Sequence, residues 1–185
     1  MVCSYVYNTR DFRLGGGIAS KCSNKFEFFS DSDFAGDRQI TKKSRSGVLI
    51  TLNNIPIHWR SATQPKTVYS PAAAEIYALR EAVRDGRSVL WVCRDLHFSG
   101  VSFPFVVQVD SDGADSFAKD TCVRSRHRGV IDMADEWVQE LKAGEVVKTQ
   151  WIPNRQQKAD ILTKCLSSRS FQTCTGFQLV SALQK

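Results

Sequence analysis

Four acidic residues stand out because each lies at the boundary of a stretch with a clear structural pattern. Asp31 and Asp110 end two apolar runs that are typical of β-strands. Glu75 and Asp160 lie near the starts of two helical patterns. Two strand ends and two helix starts can converge at one edge of a sheet, where four carboxylates would repel one another and raise their pKa values unless cations neutralise them. The set therefore indicates a site for hard divalent metal ions, and the chemistry expected of such a site is phosphodiester hydrolysis.

Each of these acids also has an ordinary structural interpretation when it is taken alone. Asp31 can be a turn residue at a strand end, a position that Asp favours. Glu75 can be a first-turn acid stabilised by the helix dipole, and Asp160 can equally be a helix-start acid. Asp112, two residues after Asp110, is interpreted as a helix N-cap in preference to a supporting acid at the site.

The size and charge of the chain limit the kind of protein that it can be. Its 185 residues, 42% of them hydrophobic, suit one domain with a sizeable core. The net charge of +6 favours an anionic partner, and nucleic acid fits better than a membrane. No apolar run approaches the roughly 18 residues of a membrane span, and the first residues lack a basic flank followed by an apolar region. We therefore expect a soluble, unsecreted, intracellular protein without a membrane partner.

The cysteines, histidines and tryptophans give no sign of a second site. The six cysteines form no Cys-x-x-Cys pair and no Cys/His ligand pattern, so neither zinc nor a redox pair is indicated. His58, His97 and His127 show no ligand spacing, and structural or surface roles are expected for them. The tryptophans can stack on bases, but aromatic residues in predicted strands and helices are more often core. They are Trp59, Trp91, Trp137 and Trp151.

Periodicity indicates that the domain begins with three strands. Residues 1–24 have no sustained pattern and are interpreted as an N-terminal extension. The runs Lys25–Ser30, Ser46–Leu52 and Ile55–Ser61 are β-rich, and the last two flank Asn53-Asn54. These runs predict three antiparallel strands in a meander.

Helical patterns begin at Pro71, which suits the first turn of a helix. Apolar residues recur at helical spacing through Leu96, and Gly86 is a point at which that helix can kink or divide. Strand and helix patterns then alternate through Phe105–Val109, Ala114–Lys119, Ile131–Leu141, Val146–Ile152 and Ala159–Leu166. Together these patterns imply an α/β domain over residues 25–166, with a mixed sheet and helices packed on it. Residues 167–185 carry no usable motif and are interpreted as a C-terminal tail.

Six short motifs also follow one another in a characteristic order. They are Ser30–Asp37, Lys43–Gly47, Ile57–Ser61, Ala74–Leu79, Asp110–Ala114 with Ala118-Lys119, and Trp151–Pro153 with Ala159–Lys164. In this order they resemble the ribonuclease H domain of copia-type LTR retrotransposon Pol polyproteins, from about Phe28 to Leu166. The opening Tyr7–Asp11 likewise resembles the connection that precedes this domain in such polyproteins.

The resemblance implies a ribonuclease H-like fold, which is a five-stranded mixed sheet with helices on both faces. It also implies a set of four metal-binding and catalytic carboxylates. They are Asp31, Glu75, Asp110 and Asp160. The family usually has Glu-Ala-Glu at the second position, and Ala73 replaces the first of these glutamates, which leaves Glu75 as the single candidate there.

The mechanism that the resemblance implies uses two Mg²⁺ ions, with Mn²⁺ as a substitute. The ions would lie roughly 3.5 to 4 Å apart across the scissile phosphate, one lowering the pKa of an attacking water and the other stabilising the departing 3′ oxygen. The bridging position falls to Asp31. Glu75 and Asp110 would share one ion with it, and Asp160 would hold the ion on the side of the nucleophile.

The function that the resemblance implies is hydrolysis of the RNA strand of RNA/DNA hybrids, which produces 5′-phosphate ends. The implied partners are the hybrid and the reverse transcriptase domain of the same polyprotein. The isolated domain is expected to be monomeric, in the cytoplasm, a retroelement particle or the nucleus. One alternative is a nucleic-acid-binding module that keeps the fold with weak or no turnover. A weaker alternative is another nuclease of the same superfamily, such as a transposase or a junction resolvase.

Contacts with the substrate are expected from basic side chains in two loops. Lys43 and Arg45 lie in one loop, and Arg126 and Arg128 lie in the other. These side chains can contact phosphates, although any solvated loop can carry Lys and Arg. Some ribonucleases H place a histidine in the loop before the last acid to help product release, and the loop Asn154–Lys158 has none.

Overall fold

A five-stranded mixed sheet is the centre of the fold. The computed structural model describes residues 7, 12–15, 24–36, 42–119, 133–167, 170–171 and 178–181. In chain order the elements are β1 (Phe12–Gly15), β2 (Phe26–Asp33), β3 (Arg45–Leu52), β4 (Ile55–Thr63), α1 (Pro71–Asp95), β5 (Phe105–Val109), α2 (Asp112–Lys119), α3 (Met133–Ala143), β6 (Val147–Trp151), two 3₁₀ helices (Asn154–Gln156 and Lys158–Leu162) and β7 (Gln178–Ser181). The order in the large sheet is β4-β3-β2-β5-β6. Its first three strands are antiparallel, and β5 and β6 run parallel to β2, which confirms the predicted mixed sheet.

A tight turn joins β3 to β4. Asn53 and Asn54 have positive φ angles of 52° and 64°. This is the backbone of a two-residue type I′ hairpin turn, a conformation that Asn tolerates. Leu52 pairs with Ile55 across the turn, so the predicted meander around the two asparagines is confirmed.

α1 is one continuous helix of 25 residues. Ser70 caps its first turn through a side-chain hydrogen bond, and Pro71 is its first residue. The suggestion that Gly86 divides the helix is wrong. A Cβ at Gly86 would lie 2.9 Å from Phe105 Cε2 and 3.0 Å from Phe28 Cδ1. The absence of a side chain at Gly86 therefore allows α1 to pack closely on β2 and β5, and the helix is not interrupted.

The two faces of the sheet are covered differently. α1, α2 and α3 pack on one face, over a core that includes Phe28, Val48 and Leu79. The other face carries a smaller cluster, in which Phe29 and Leu49 pack near the Lys158–Leu162 helix. Neighbours such as Phe28 and Phe29 serve opposite faces because side chains alternate along a strand. Helices thus lie on both faces, as predicted, but within the described residues those on the second face are 3₁₀ helices.

The segment predicted as a helix over Ala159–Leu166 is shorter and tighter than expected. It is the second 3₁₀ helix, and it ends at Leu162. The next two residues, Thr163 and Lys164, direct their side chains to buried carboxylates instead of continuing the helix. Tertiary hydrogen bonds therefore decide the conformation at this point, and helical periodicity does not.

The terminal segments form a second, small sheet. β1 pairs antiparallel with β7, from Phe12 opposite Ser181 to Gly15 opposite Gln178. The sequence predicts no element in either segment, because neither has a sustained apolar pattern. The domain boundaries at residues 25 and 166 stay a prediction. Among the described residues, no helix is both long enough and apolar enough to span a membrane.

Three of the four tryptophans are exposed, so their interpretation as core residues is wrong. Trp59, Trp91 and Trp151 expose 59%, 43% and 45% of their surface. Trp59 and Trp151 lie on the two edge strands, β4 and β6, where fewer neighbours cover a side chain. Trp91 lies on the outer side of α1, with the guanidinium of Arg87 4.2 Å from its ring centroid. Trp137 is partly buried against the helix-side core, as predicted.

Candidate active site

Three of the four predicted acids converge at one end of the sheet. Asp31 lies near the end of β2, Asp110 directly follows β5, and Glu75 projects from α1. Because β2 and β5 are parallel neighbours, the acids that end them lie at the same edge. One carboxylate oxygen from each of the three residues lies within 4.8 Å of the others. We call these three residues the acid cluster.

The fourth acid, Asp160, lies beside the acid cluster and is joined to it by a lysine. Lys164 Nζ lies 2.8 Å from Asp160 Oδ1 and 3.2 Å from Asp31 Oδ1. Asp160 is almost fully buried in the final 3₁₀ helix, yet it is outside the group of three converging carboxylates. The ammonium of Lys164 thus bridges the two acids that the predicted mechanism connects through a metal ion.

Asp31 is held on both of its oxygens. The hydroxyl of Thr163 donates a hydrogen bond to Asp31 Oδ2, while Lys164 contacts Oδ1. Thr163 and Lys164 belong to the last of the six sequence motifs, which by itself predicts no role for either residue. Their spacing of three and four residues from Asp160 was a usable signal, because that spacing brings side chains to one side of a helical turn.

Burial and mutual repulsion shift the protonation of the acid cluster. Burial raises the pKa of Asp31 to about 7, against the opposing effects of Lys164 and Thr163. Burial also raises the pKa of Glu75 to about 8, and the negative charges of Asp31 and Asp110 add to the increase. For Lys164, burial lowers the pKa, but the carboxylates of Asp31 and Asp160 outweigh burial and raise it. A further cation at the cluster would favour the ionised carboxylates.

One oxygen of the acid cluster is buried without a hydrogen-bond partner among the described residues. That oxygen is Glu75 Oε2, and the hydroxyl of Ser30 also has no hydrogen-bond partner among these residues. A buried carboxylate oxygen normally has a partner, because the loss of hydration is otherwise uncompensated. Three converging carboxylates with an unpartnered oxygen fit a hard divalent ion, which prefers oxygen ligands.

Gln64 holds the helix that carries Glu75. Its buried amide donates hydrogen bonds to Ser46 Oγ at 2.9 Å and to the carbonyl of Ala74 at 3.0 Å. These bonds tie the start of α1 to β3, one residue before Glu75. Glu75 is the fifth residue of α1, so the interpretation as a first-turn acid is wrong.

Gly47 allows the final 3₁₀ helix to approach the sheet. Gly47 is the register partner of Asp31 on β3. A Cβ at this position would lie 2.7 Å from Thr163 Cγ2 and 3.0 Å from the carbonyl oxygen of Ala159. The absence of a side chain at Gly47 therefore leaves room for the segment that carries Asp160 to pack against β3.

Gln157 connects three parts of the site and was missed in the sequence. Its side chain is fully buried. The amide nitrogen donates to the carbonyl of Ser30 at 2.9 Å and lies 3.5 Å from Asp110 Oδ1. Its amide oxygen accepts from the backbone of Ala159 at 3.2 Å and so caps the final 3₁₀ helix. The sequence of the loop Asn154–Lys158 shows that it has no histidine, but no local pattern identifies its glutamine as buried.

The structure corrects the interpretation of Asp112. Ser111 Oγ accepts the hydrogen bond from the amide of Ala114 at 3.3 Å, so Ser111 occupies the capping position. Asp112 is instead a first-turn acid of α2, where the helix dipole favours it. Asp110, on the other side of Ser111, is fixed at its backbone: the indole of Trp151 donates a hydrogen bond to its carbonyl at 3.2 Å.

The basic residues proposed for substrate contact are described in part. Arg45 begins β3 at the same end of the sheet as Asp31, is exposed, and donates to Ser61 Oγ at 3.4 Å. Lys43 lies two residues earlier in the loop that leads into β3 and is half-buried. Arg126 and Arg128 lie outside the described residues.

Comparison with known proteins gives a relative in sequence and several similar structures, of which the following are examples. No protein-family model matches the chain. The chain is 31% identical to the retrovirus-related Pol polyprotein from transposon TNT 1-94 of Nicotiana tabacum. The aligned region of 147 residues covers 79% of the chain. The chain spans only 11% of the length of that polyprotein.

Among solved structures, the chain is similar to ribonucleases H. The LC11 ribonuclease H1, isolated from compost by a metagenomic approach, matches with a TM-score of 0.55 at 20% identity, over 75% of this chain and 92% of that one. The same enzyme in complex with an RNA/DNA hybrid matches with a TM-score of 0.50, over 75% and 93%. The N-terminal ribonuclease H domain of a Mycobacterium tuberculosis protein matches with a TM-score of 0.50 at 13% identity, over 83% and 98%. At these identities the structures show the fold, and with the sequence relative they place the chain in the family of ribonuclease H domains of LTR retrotransposon Pol polyproteins.

Proposed function

We propose that the chain is an endoribonuclease that hydrolyses the RNA strand of RNA/DNA hybrids and leaves 5′-phosphate ends. The observation that carries the proposal is the convergence of Asp31, Glu75 and Asp110, whose carboxylate oxygens lie within 4.8 Å of one another. The unpartnered Oε2 of Glu75 supports a metal-binding role for this cluster. The ribonuclease H fold of the chain is consistent with this chemistry, although a fold alone does not determine a function.

The residues of the site have separate tasks in this proposal. Asp31, Glu75 and Asp110 would hold one Mg²⁺ ion, and Asp160 with Asp31 would hold a second, with Mn²⁺ as a substitute. Divalent ions bound there would lower the pKa of an attacking water and stabilise the departing 3′ oxygen. Asp31 is suited to the shared position because it faces the other two acids of the cluster and is bridged by Lys164 to Asp160.

Recognition of the hybrid would rest on the sugar-phosphate backbone. A nuclease for such hybrids detects 2′-hydroxyls on one strand and groove shape, and base identity matters less. Arg45 is exposed at the same end of the sheet as the acid cluster, and Lys43 lies in the loop before it. We assign phosphate contacts to both residues, and to Arg126 and Arg128. The LC11 ribonuclease H1, which has the same fold, has been solved with an RNA/DNA hybrid.

A second candidate function is hybrid binding with weak or no turnover. The contact of Lys164 with Asp31 and Asp160 favours it, since the ammonium already neutralises part of the charge that a metal ion would balance. In either case the reverse transcriptase domain of a surrounding polyprotein is the proposed partner, and the isolated domain is proposed to be an intracellular monomer.

A nuclease assay with four substrates tests the proposal. The purified chain is incubated with labelled RNA/DNA hybrid, single-stranded RNA, double-stranded RNA and double-stranded DNA, each with Mg²⁺, Mn²⁺ or a chelator. We expect cleavage of the RNA strand of the hybrid only, with 5′-phosphate ends, and none with the chelator or in Asp31→Asn. Tight binding of the hybrid without cleavage in either metal would favour the binding module. Equal cutting of duplex DNA would contradict both.

A further inference from the structure

Lys164 occupies a position between two buried carboxylates of the site. Its Nζ lies 3.2 Å from Asp31 Oδ1 and 2.8 Å from Asp160 Oδ1, which are hydrogen-bonding distances to both. These two carboxyl side chains expose only 1% and 6% of their surface, so solvent contributes little to the neutralisation of their charge. Among the described residues, the ammonium of Lys164 is therefore the cation that balances this pair.

The other half of the site is arranged differently. Glu75 and Asp110 converge with Asp31 into one potential ligand group, and Glu75 Oε2 has no hydrogen-bond partner among the described residues. Asp160 is not part of that group, and its Oδ1 accepts a hydrogen bond from Lys164. One half of the site is thus prepared for a cation, whereas the other half already contains one.

Lys164 reaches the two buried carboxylates from the surface of the protein. About a third of its side chain is exposed, and it follows the end of the 3₁₀ helix. Its hydrogen bonds on this pair are charge-assisted, and an arriving phosphate would offer the ammonium an equivalent partner.

We infer that Lys164 acts as a built-in cation at the Asp31–Asp160 pair. Without substrate, the chain then holds a single tightly bound divalent ion, at Asp31, Glu75 and Asp110. A second ion binds at Asp160 only when Lys164 withdraws. The inference rests on the proposed metal-dependent function and makes Lys164 a positioning residue that controls how many ions the site holds.

The test is a titration of Mn²⁺ into the substrate-free chain, followed by electron paramagnetic resonance and calorimetry. The variants are Lys164→Met, which removes the charge, and Lys164→Arg, which keeps it. Lys158→Met is the matched control, because Lys158 begins the same 3₁₀ helix but contacts Glu27 at 3.2 Å, away from the acid cluster. We expect one tight Mn²⁺ in the wild type, in Lys164→Arg and in Lys158→Met. In Lys164→Met we expect a second ion bound at least about tenfold more tightly than in the wild type, since a positive charge at hydrogen-bonding distance is removed.

The outcomes separate this inference from the proposed function. Two equally tight ions in the wild type would overturn the inference and leave the metal-dependent function standing, whatever the variants do. An unchanged weak second site in folded Lys164→Met would do the same. No Mn²⁺ binding by the wild type would overturn the proposed function together with the inference. The thermal unfolding of each variant shows whether it is folded, and the wild-type stoichiometry remains decisive if Lys164→Met is not.

Discussion

The acid cluster differs from a second set of buried acids in how its charges are balanced. The second set lies between β4 and the middle of α1, and we call it the ion-pair network. Its members are His58, Arg60, Glu81, Arg84 and Asp85. Both regions place carboxylates of α1 against the sheet, since Glu75 belongs to one and Glu81 and Asp85 to the other.

Every carboxylate of the ion-pair network has close basic partners. Arg60 contacts Glu81 at 3.2 Å and Asp85 at 2.9 Å. Arg84 contacts Glu81 at 2.6 Å and Asp85 at 3.3 Å, and His58 Nε2 lies 3.0 Å from Asp85. Arg80 also contacts Glu81, at 3.6 Å. The two acids are thus matched by at least as many basic side chains, and the network is a structural unit that fixes α1 on β4.

The acid cluster lacks this match. Together with Asp160 it contains four carboxylates, and among the described residues Lys164 is the basic residue that contacts two of them. Burial raises the pKa values of Asp31 and Glu75, and the charges of neighbouring carboxylates add to both increases. Buried acids with matched bases therefore maintain the fold, whereas buried acids with fewer basic partners among the described residues mark the candidate site for a ligand.

The largest expected effect is the loss of hydrolysis in Asp31→Asn. An amide cannot supply the shared anionic oxygen, so we expect kcat on the RNA/DNA hybrid to fall at least about a thousandfold. The metal-free variant should be at least as stable as the wild type at pH 8, because burial disfavours the charge that is removed. Steady-state kinetics and thermal unfolding measure the two effects. A large loss of stability with retained kcat would place Asp31 with the ion-pair network instead.

The opposite pattern is expected of Asp85→Asn. Removing this charge takes away the closer partner of Arg60 and the second partner of Arg84, so the free energy of unfolding should fall by about 2 kcal/mol. The value is below that for fully buried pairs because both arginines are partly exposed. The measurement is urea unfolding, and kcat measured on the folded fraction should not change. Asp95→Asn is the control, since this aspartate is exposed and its contact with Arg94 is 3.9 Å.

A pH dependence should distinguish the acid cluster in the metal-free protein. The pKa of Glu75 rises from 4.5 to about 8 on folding, so the folded chain binds this proton more tightly than the unfolded chain does. The resulting stabilisation is complete below about pH 4.5 and is lost as the pH rises towards 8, by roughly a few kcal/mol. Glu75→Gln should flatten the curve of unfolding free energy against pH. Saturating Mg²⁺ should also reduce the loss, because it binds the ionised carboxylates, and a slope unchanged by both would contradict the assignment.

The sequence predicts the fold and the acids better than it predicts the groups that position them. Asp31 and Asp110 were found because they end strands with clear patterns, and Glu75 because a long helical pattern contains it. The three-strand meander follows from the same periodicities, whereas the five-stranded sheet was implied by the resemblance to the family. These features are local, so each can be inferred from a short stretch of sequence.

The missed features depend on contacts between distant segments. Gln157 donates to the carbonyl of Ser30, 127 residues earlier, and Thr163 donates to Asp31, 132 residues earlier. Gly47 matters because the final 3₁₀ helix lies against β3, and no pattern around Gly47 shows that approach. Exposure of Trp59 likewise depends on its position at a sheet edge, whereas aromatic periodicity favours a core.

A moderate effect is expected of Gln157→Leu, which tests whether the acid cluster depends on the hydrogen bonds that position Asp110 and the final 3₁₀ helix. Loss of the amide frees Asp110 and the start of the final 3₁₀ helix, so we expect kcat to fall about tenfold and Mn²⁺ affinity to weaken, with an unchanged KM for the hybrid. Kinetics well below the unfolding temperature, together with Mn²⁺ titration, separate this from a loss of stability. Gln156→Leu is the control because its side chain is exposed. Equal metal affinity in both variants would make Gln157 a purely structural residue.

The smallest effect is expected of Arg45→Ala, which tests whether basic residues near the acid cluster serve the substrate while those of the ion-pair network serve the fold. Arg45 is exposed and donates to a serine hydroxyl at 3.4 Å, unlike Arg60 with its two carboxylates. We expect weaker hybrid binding by a few-fold, and a salt dependence of log Kd that is lower by about one phosphate contact. Stability should not change. Arg94→Ala is the matched control, since Arg94 is exposed at the far end of α1. The same change of slope in both variants would show a general effect of charge. A specific phosphate contact of Arg45 should be lost in Arg45→Ala and kept in Arg94→Ala.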